Sequence, residues 1–444
     1  MSTTHNFSQG QCPLHHERHR QQSSLWPVAL HSSTLIAFLA ASSVPTPLYR
    51  LYQQQWGFSS TLLAVVFAAY ALVLLLALLV TGRLSDHVGR RPVISLALAL
   101  QLVSMVCFLC ADGVHWLIAA RVVQGFATGM ATAAVGAALL DLSRERGTLI
   151  NSIAPMVGMA AGALGSTALM VYVPWPLHTV YGVLLGIFLA LLGLIWFMPE
   201  TTERRPGAWA SLKPRITVPS QARKALLSVT FANVAVWMLG GFYLSLMPSL
   251  IMTVTKANTP WLGGFVVAAL TLTGAVAVLT ARKLSTFATL LSGELALMLG
   301  LLIILLGANL GHAALLLGGS IIAGFGFGAS FLGAVRSVLP LAQPHERAGL
   351  MGVFYIESYL ANSVPTMAVG YLAQRTGLLV AVNVYGVVIA ALAVWPMSPP
   401  LDRARVWLPV SMTSSSWMPA VPPSFCRVRS PLRMIASATV IAPP

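Results

Sequence analysis

Long apolar stretches separated by short polar breaks dominate the chain. Twelve such blocks stand at 28–49, 61–81, 92–111, 115–140, 149–172 and 177–198, then 225–252, 261–281, 287–310, 313–339, 349–372 and 378–397. A helix that crosses hydrocarbon needs about 20 apolar residues, so each block is long enough to span once. The breaks between blocks are short except at 199–224, where Pro, Arg and Lys accumulate. The pattern predicts six spanning helices, a linker and six more.

Composition narrows the class. Of 444 residues, 57% are hydrophobic and 8% are charged, and the mean hydropathy is +0.80. Soluble domains carry roughly 25% charged residues, so this chain cannot cover a water-facing surface. A soluble enzyme, a disulfide scaffold and a disordered chain are excluded. Four cysteines are too scattered for a disulfide framework. Cys107 and Cys110 lie in an apolar block, where Cys behaves as a small hydrophobe.

The net charge is +15, and the placement of the cations explains it. Fourteen of them fall in breaks on one side: Arg83, Arg90, Arg91, Arg144, Arg146, Arg204, Arg205, Lys213, Arg215, Arg223, Lys224, Arg282, Lys283 and Arg347. Three fall on the other: Arg50, Lys256 and Arg375. The positive-inside bias makes the first side cytoplasmic, with both termini there. This reading needs no nucleic acid, and basic loops beside a bilayer also attract anionic lipid headgroups.

The domains expected are a cytoplasmic tail (1–27), a six-helix bundle (28–198), a cytoplasmic basic linker (199–224), a second bundle (225–397) and a disordered cytoplasmic tail (398–444). His5, His15, His16 and His19 beside Arg18 and Arg20 make the first tail polar. Trp56, Trp116, Trp175, Trp261 and Trp395 stand near predicted span ends and suit interfacial belts. The halves echo each other at an offset near 200. Gly125–Gly129 (GFATG) parallels Gly324–Gly328 (GFGFG), and Arg83-Leu84-Ser85 parallels Lys283-Leu284-Ser285. Two related bundles facing each other follow. Pro45, Pro47, Pro248 and Pro365 are positions where spans break or kink.

The densest motif is Gly82-Arg83-Leu84-Ser85-Asp86-His87-Val88-Gly89-Arg90-Arg91-Pro92, between spans two and three. Gly82 and Gly89 permit a tight turn, Asp86 suits a helix amino end, and Arg90 and Arg91 offer guanidinium forks to carboxylates or helix carboxyl ends. A loop that only sets orientation needs positive charge alone. The glycines and the aspartate point instead to a gate. In span four, Leu117, Arg121, Gln124, Gly125 and Gly129 recur at helical spacing, and span five carries Gly158, Gly162 and Gly165.

These stretches resemble the major facilitator superfamily. The loop is similar to the family signature G-x-L-x-D-R-x-G-R-[RK], departing at His87. Span four is similar to L-x-x-x-R-x-x-Q-G-x-x-x-G, in which the arginine is associated with proton coupling. Span five resembles the G-x-x-x-G-P-x-x-G-G pattern of the drug–proton antiporter branch, with Ala163 for the proline and Ser166 for the last glycine. The resemblance implies an all-α polytopic membrane protein of twelve transmembrane helices in two pseudo-symmetric six-helix bundles. It also implies that spans 1, 4, 7 and 10 line a midplane cavity.

Ionisable groups inside the spans supply candidate chemistry. An arginine in hydrocarbon costs about 2.5–3.5 kcal/mol on insertion scales, so Arg121 must face a cavity or partners. It either influences a nearby carboxylic acid, holds an anionic substrate group, or bonds neighbouring helix carbonyls. Glu357, beside Tyr355, Ser358, Tyr359 and Asn362, is either a proton carrier or a carboxylate that glues helices. Glu294 is expected to snorkel to the interface. Asp141 and Arg336, near span ends, are expected to form loop-locking salt bridges. Tyr70, Phe67, Gln124, Trp237, Phe242 and Tyr243 suit either a lipophilic cavity or packing.

No phosphate-binding loop, metal-ligand cluster or ATP-binding domain is visible, so the expected energy source is a gradient, and the few acids favour protons. The resulting expectation is a monomeric secondary active transporter in the inner membrane, without cofactor or enzymatic activity. It exports a small organic molecule against protons. Proton-coupled uptake or uniport of a sugar or organic acid is the nearest rival, and a transport-inactive sensor on the same scaffold is a rival of another class.

Overall fold

The computed structural model describes residues 25–214, 216–257 and 259–394, and every regular element among them is helical. The histidines of the first tail, Arg215, Trp395 and the second tail lie outside the described residues. The first half comprises α1 (Leu25–Ser43), α2 (Pro45–Trp56), α3 (Ser60–Thr81), the single turn α4 (Ser85–Val88), α5 (Arg90–Leu109), α6 (Val114–Leu142), α7 (Arg144–Tyr172) and α8 (Pro176–Ile195). After the turn α9 (Ala208–Ser211) come α10 (Ser220–Ser245), α11 (Met247–Thr255), α12 (Trp261–Ala281), α13 (Thr286–Leu310), α14 (Ala313–Val338), α15 (Arg347–Thr376) and α16 (Leu378–Val394).

Among the described residues, ten helical segments are long and apolar enough to cross a membrane. The 17-residue α16 is apolar but short. The 30-residue α15 is long, but Glu357, Ser358, Asn362 and Ser363 dilute its apolar character. With these two, the twelve predicted spans are accounted for. Span one is the broken pair α1–α2 and span seven the broken pair α10–α11. Each second piece starts with proline in its first turn, where the missing N–H costs least. Pro365, by contrast, lies inside an unbroken α15. Cys110 falls just past α5 and is exposed rather than buried.

The halves repeat one packing scheme. In the first, α1 packs on α7, α3 on α6 and α5 on α6 and α8; in the second, α10 packs on α15, α12 on α14 and α13 on α14 and α16. Between the halves the matched contacts are α3 with α15 and α12 with α7. Small residues set the close approaches. A Cβ on Gly129 would stand 2.5 Å from the Leu74 carbonyl oxygen of α3, and one on Gly326 would stand 2.6 Å from Leu297 Cα of α13. In span five, a Cβ on Gly158 would stand 2.7 Å from the Ile36 carbonyl oxygen, and Gly162 abuts Ala40, whereas Gly165 faces open space.

The turn α4 and the linker lie on one face of the bundle, termed the loop face; the α2 and α11 ends lie on the opposite, distal face. Because the α3–α6 contact leaves no room at Gly129, Gly129→Ala is expected to destabilise the protein by about 1–3 kcal/mol. Gly165→Ala should be neutral or slightly stabilising, since alanine favours helix over glycine. Thermal unfolding in detergent, followed by tryptophan fluorescence, checks the contrast.

Candidate functional site

Three groups of polar side chains occupy the fold. The first is the 82–92 loop. Gly82 ends α3 with ordinary helical dihedrals (φ −55°), so it makes no special turn. Gly89 does: its φ is +106°, and a Cβ there would lie 2.7 Å from Glu200 Oε2. The chain doubles back here so that Arg90 starts α5. Arg90 Nη1 donates to Asp86 Oδ1 at 2.6 Å and to Ser85 Oγ at 2.7 Å, while Nε donates to Asp141 Oδ2 at 3.0 Å, at the end of α6. Arg91 Nη2 donates to the Trp196 carbonyl, just past α8, at 2.7 Å, and its guanidinium lies over the Trp196 ring.

Glu200, which the sequence did not single out, completes this group. Its carboxylate accepts the free N–H groups of Arg90 (2.7 Å) and Arg91 (3.0 Å) at the α5 amino end, where a negative charge is favoured. The linker then folds back on the loop. Arg205 N–H donates to the His87 carbonyl at 2.9 Å, and His87 Nδ1 lies 3.1 Å from the Pro206 carbonyl oxygen. All these partners belong to the first half and the linker. Asp141 thus joins the loop in an ion pair, whereas Arg336 forms none among the described residues, and its Nη1 is buried without a partner.

The second group surrounds Arg121, which is fully buried. Its Nη1 donates to the Ser42 carbonyl (2.8 Å) and to Gln124 Oε1 (2.7 Å); Nε and Nη2 both donate to Tyr49 Oη. The guanidinium also lies 5.2 Å from the centroid of the Tyr70 ring. Its partners among the described residues are all neutral, with cation–π contacts and carbonyl dipoles in place of a counter-ion. Gln124 explains one of those contacts. Pro45 has no N–H for the carbonyl of Ala41, four residues back, and Gln124 Nε2 donates to that oxygen at 3.0 Å. One turn of α6 thus mends the break in span one.

The third group lies in the second half. Glu357 is half-buried; its Oε1 accepts from Asn233 Nδ2 at 3.1 Å and its Oε2 from Thr230 Oγ1 at 3.2 Å, both on α10. Asn233 also donates to Ser358 Oγ. One turn on from Asn233, Trp237 meets Tyr359 (ring centroids 4.8 Å apart) and Phe331 (6.1 Å), and its Nε1 is buried without an acceptor. Tyr359 in turn packs against Tyr70, Ala71 and Leu74 of α3. Aromatic rings therefore run from Arg121 through Tyr70 and Tyr359 to Trp237, across the junction of the halves. Arg121 and Glu357 share no bond; each is held within its own half.

One placement differs from the expectation. Glu294 does not snorkel: it is 1% exposed, on α13, with neither carboxylate oxygen hydrogen-bonded. Gly293 and Gly326 bring α13 and α14 into close contact beside it. Tyr243 is fully buried in the second half, where its hydroxyl lies 2.6 Å from Ser320 Oγ. Phe67 and Phe242 are buried as well. An open cleft of about 240 Å³ lies on the distal face, lined by Thr46, Arg50 and Gln54 of α2, Met170 of α7, and Pro248 and Met252 of α11.

Twelve helices in two matched sixes, with an arginine held inside one and a glutamate inside the other, define a membrane-transporter architecture. The chain belongs to the Major Facilitator Superfamily, whose model matches residues 30–366. It is 32% identical over 166 residues to the uncharacterized transporter YebQ of Escherichia coli (strain K12), a match covering 36% of this chain and 35% of YebQ. It is 29% identical over 161 residues to the multidrug resistance protein MdtL of Klebsiella pneumoniae, covering 34% of this chain and 40% of MdtL. The matches thus span well under half the length of these relatives. Among solved structures, the nucleoside transporter NupG (D323A mutant) superposes with a TM-score of 0.68 at 10% identity, covering 84% of this chain and 98% of NupG. A bacterial homolog of the human lysosomal transporter Spinster, inward-facing and unoccupied, superposes with a TM-score of 0.67 at 14% identity, covering 87% and 98%. Both likenesses are of fold.

Two outcomes follow from the site's geometry. Gln124→Leu leaves the Ala41 carbonyl unbonded, an expected loss of about 1–3 kcal/mol. Pro45→Ala in the same chain restores an N–H and should recover much of it, read as a thermal-melt double-mutant cycle. Glu200→Gln should weaken the linker's hold on the loop and speed tryptic cleavage after Arg204 severalfold, followed by mass spectrometry.

Proposed function

We propose that this transporter moves a small organic molecule across the cytoplasmic membrane by alternating access, exporting it in exchange for protons. The observation that carries the reading is the Glu357 wall. A titratable carboxyl group stands one helical turn from an aromatic surface with an unfilled N–H, that of Trp237. An apolar molecule with one acceptor atom satisfies that N–H and stacks on Tyr359 and Trp237. A proton entering Glu357 and a substrate leaving its neighbourhood then compete for one region, which is what exchange requires.

On this reading the loop face is cytoplasmic, because thirteen of the fourteen cations of that set are described there and the other three on the distal face. The Asp86–Arg90–Asp141 cluster holds the cytoplasmic ends of α5 and α6 as one block, so that the first half rocks as a unit. Arg121 keeps the mended first span rigid while its positive charge biases the proton's path towards release. The chain acts as a monomer in contact with lipids and protons. Proton-driven uptake of a sugar or organic acid is the rival separated by the same experiment.

Vesicles of fixed orientation with an imposed pH gradient test the proposal, with ethidium as the probe. Wild-type protein is expected to drive ethidium against the proton flux, and Glu357→Gln to abolish gradient-driven movement while retaining counterflow. Unchanged accumulation in Glu357→Gln removes that residue from coupling. Trp237→Phe should raise the half-saturating concentration about fivefold, the worth of one hydrogen bond, with little change in maximal rate.

A further inference from the structure

The second broken span has the same defect as the first. Pro248 offers no N–H to the carbonyl of Leu244, four residues back. In the first half the orphaned carbonyl, that of Ala41, is satisfied from within its own half by Gln124. In the second half the orphaned carbonyl of Leu244 accepts Thr46 Oγ1–H, at 2.9 Å, from the other half. A bond inside a bundle survives any movement of the bundles against each other, but one between bundles does not.

Its surroundings mark where that movement is resisted. Thr46 is 2% exposed, yet it lines the distal cleft, whose walls are α2 and α7 of the first half and α11 and α12 of the second. One turn outward, Arg50 is exposed. The Thr46–Leu244 bond therefore sits where the cleft stops. Among the described residues, the other polar contacts between the halves on this face are both made by Thr61 Oγ1: the one to Gln374 Oε1 is exposed, so water replaces it at little cost, and the one to the Gly370 carbonyl is long, at 3.5 Å. A buried carbonyl that loses its partner has no such replacement.

We infer that the Thr46 hydroxyl and the proline-freed Leu244 carbonyl form the latch that keeps the distal side closed, and that it breaks each time the cleft deepens to the substrate region. The inference rests on alternating access, and it makes Thr46 a positioning residue for transport.

The test uses full-length protein in lipid nanodiscs, with the native cysteines replaced and nitroxide labels at Gln54→Cys and Met252→Cys, read by pulsed electron resonance. In Thr46→Val the ratio of distal-open to distal-closed molecules is expected to rise about fivefold, the worth of one hydrogen bond, while Thr46→Ser keeps the wild-type ratio. Pro248→Ala, which gives Leu244 a partner in its own helix, should produce a similar rise, and the two changes together should add little, because both remove one bond. Ratios within twofold of wild type in Thr46→Val and Pro248→Ala, with both populations visible, would overturn the latch and leave alternating access standing. A rise in Thr46→Val alone would assign the effect to packing and overturn it too. A single population in every variant, at every pH and with ethidium present, would remove alternating access and the latch with it.

Discussion

Backbone carbonyls inside hydrocarbon cannot be left to water, and most of this structure follows from that constraint. Pro45 in span one and Pro248 in span seven each strip a carbonyl of its helical partner, and both losses are made good by a side chain from elsewhere. Gln124 serves Ala41 and Thr46 serves Leu244, while Arg121 bonds the neighbouring carbonyl of Ser42. A buried arginine is tolerated in the same terms: its N–H groups are used by a carbonyl, an amide and a phenol, and its charge is spread over two aromatic faces. The polar interior is thus largely a repair of the backbone, and the cation is its most costly component.

The glycines solve the complementary problem. Helices in lipid gain little from burying apolar surface against each other, so close contact must supply the attraction. Gly125 and Gly129 seat α6 on α3, and Gly324 and Gly328 seat α14 on α12, at the same place in each half. The repeat in the sequence is therefore a repeat in the packing. The two contacts between halves, α3 with α15 and α7 with α12, are related in the same way.

The spans were legible because hydropathy over 20 residues reports directly on the solvent. The prolines of spans one and seven were legible as points of breakage, but Pro365 obeys the same rule and leaves α15 intact, since neighbours decide whether a bend is taken up. The loop residues Asp86, Arg90 and Arg91 could be read as a group because they are close in sequence. Glu200 could not, since 110 residues separate it from Arg90. Glu294 differs from its expected place for another reason. Depth follows from position along a helix, whereas the direction a side chain faces depends on how that helix is rotated against its neighbours. No long-range pattern in a single chain encodes that rotation.

The docking of the linker has a mechanical corollary. Its first part is bound to the first half as far as Pro206, through Glu200, Arg205 and His87. Its later part rests on the second half, where Thr217 abuts Gly349 and Gln221 bonds Glu346. Between Pro206 and Thr217 only about ten residues are free to pay out, a leash of roughly 35 Å when fully drawn and shorter while α9 stays wound. However the two bundles swing, the tether sets an upper limit to how far apart their near ends can travel.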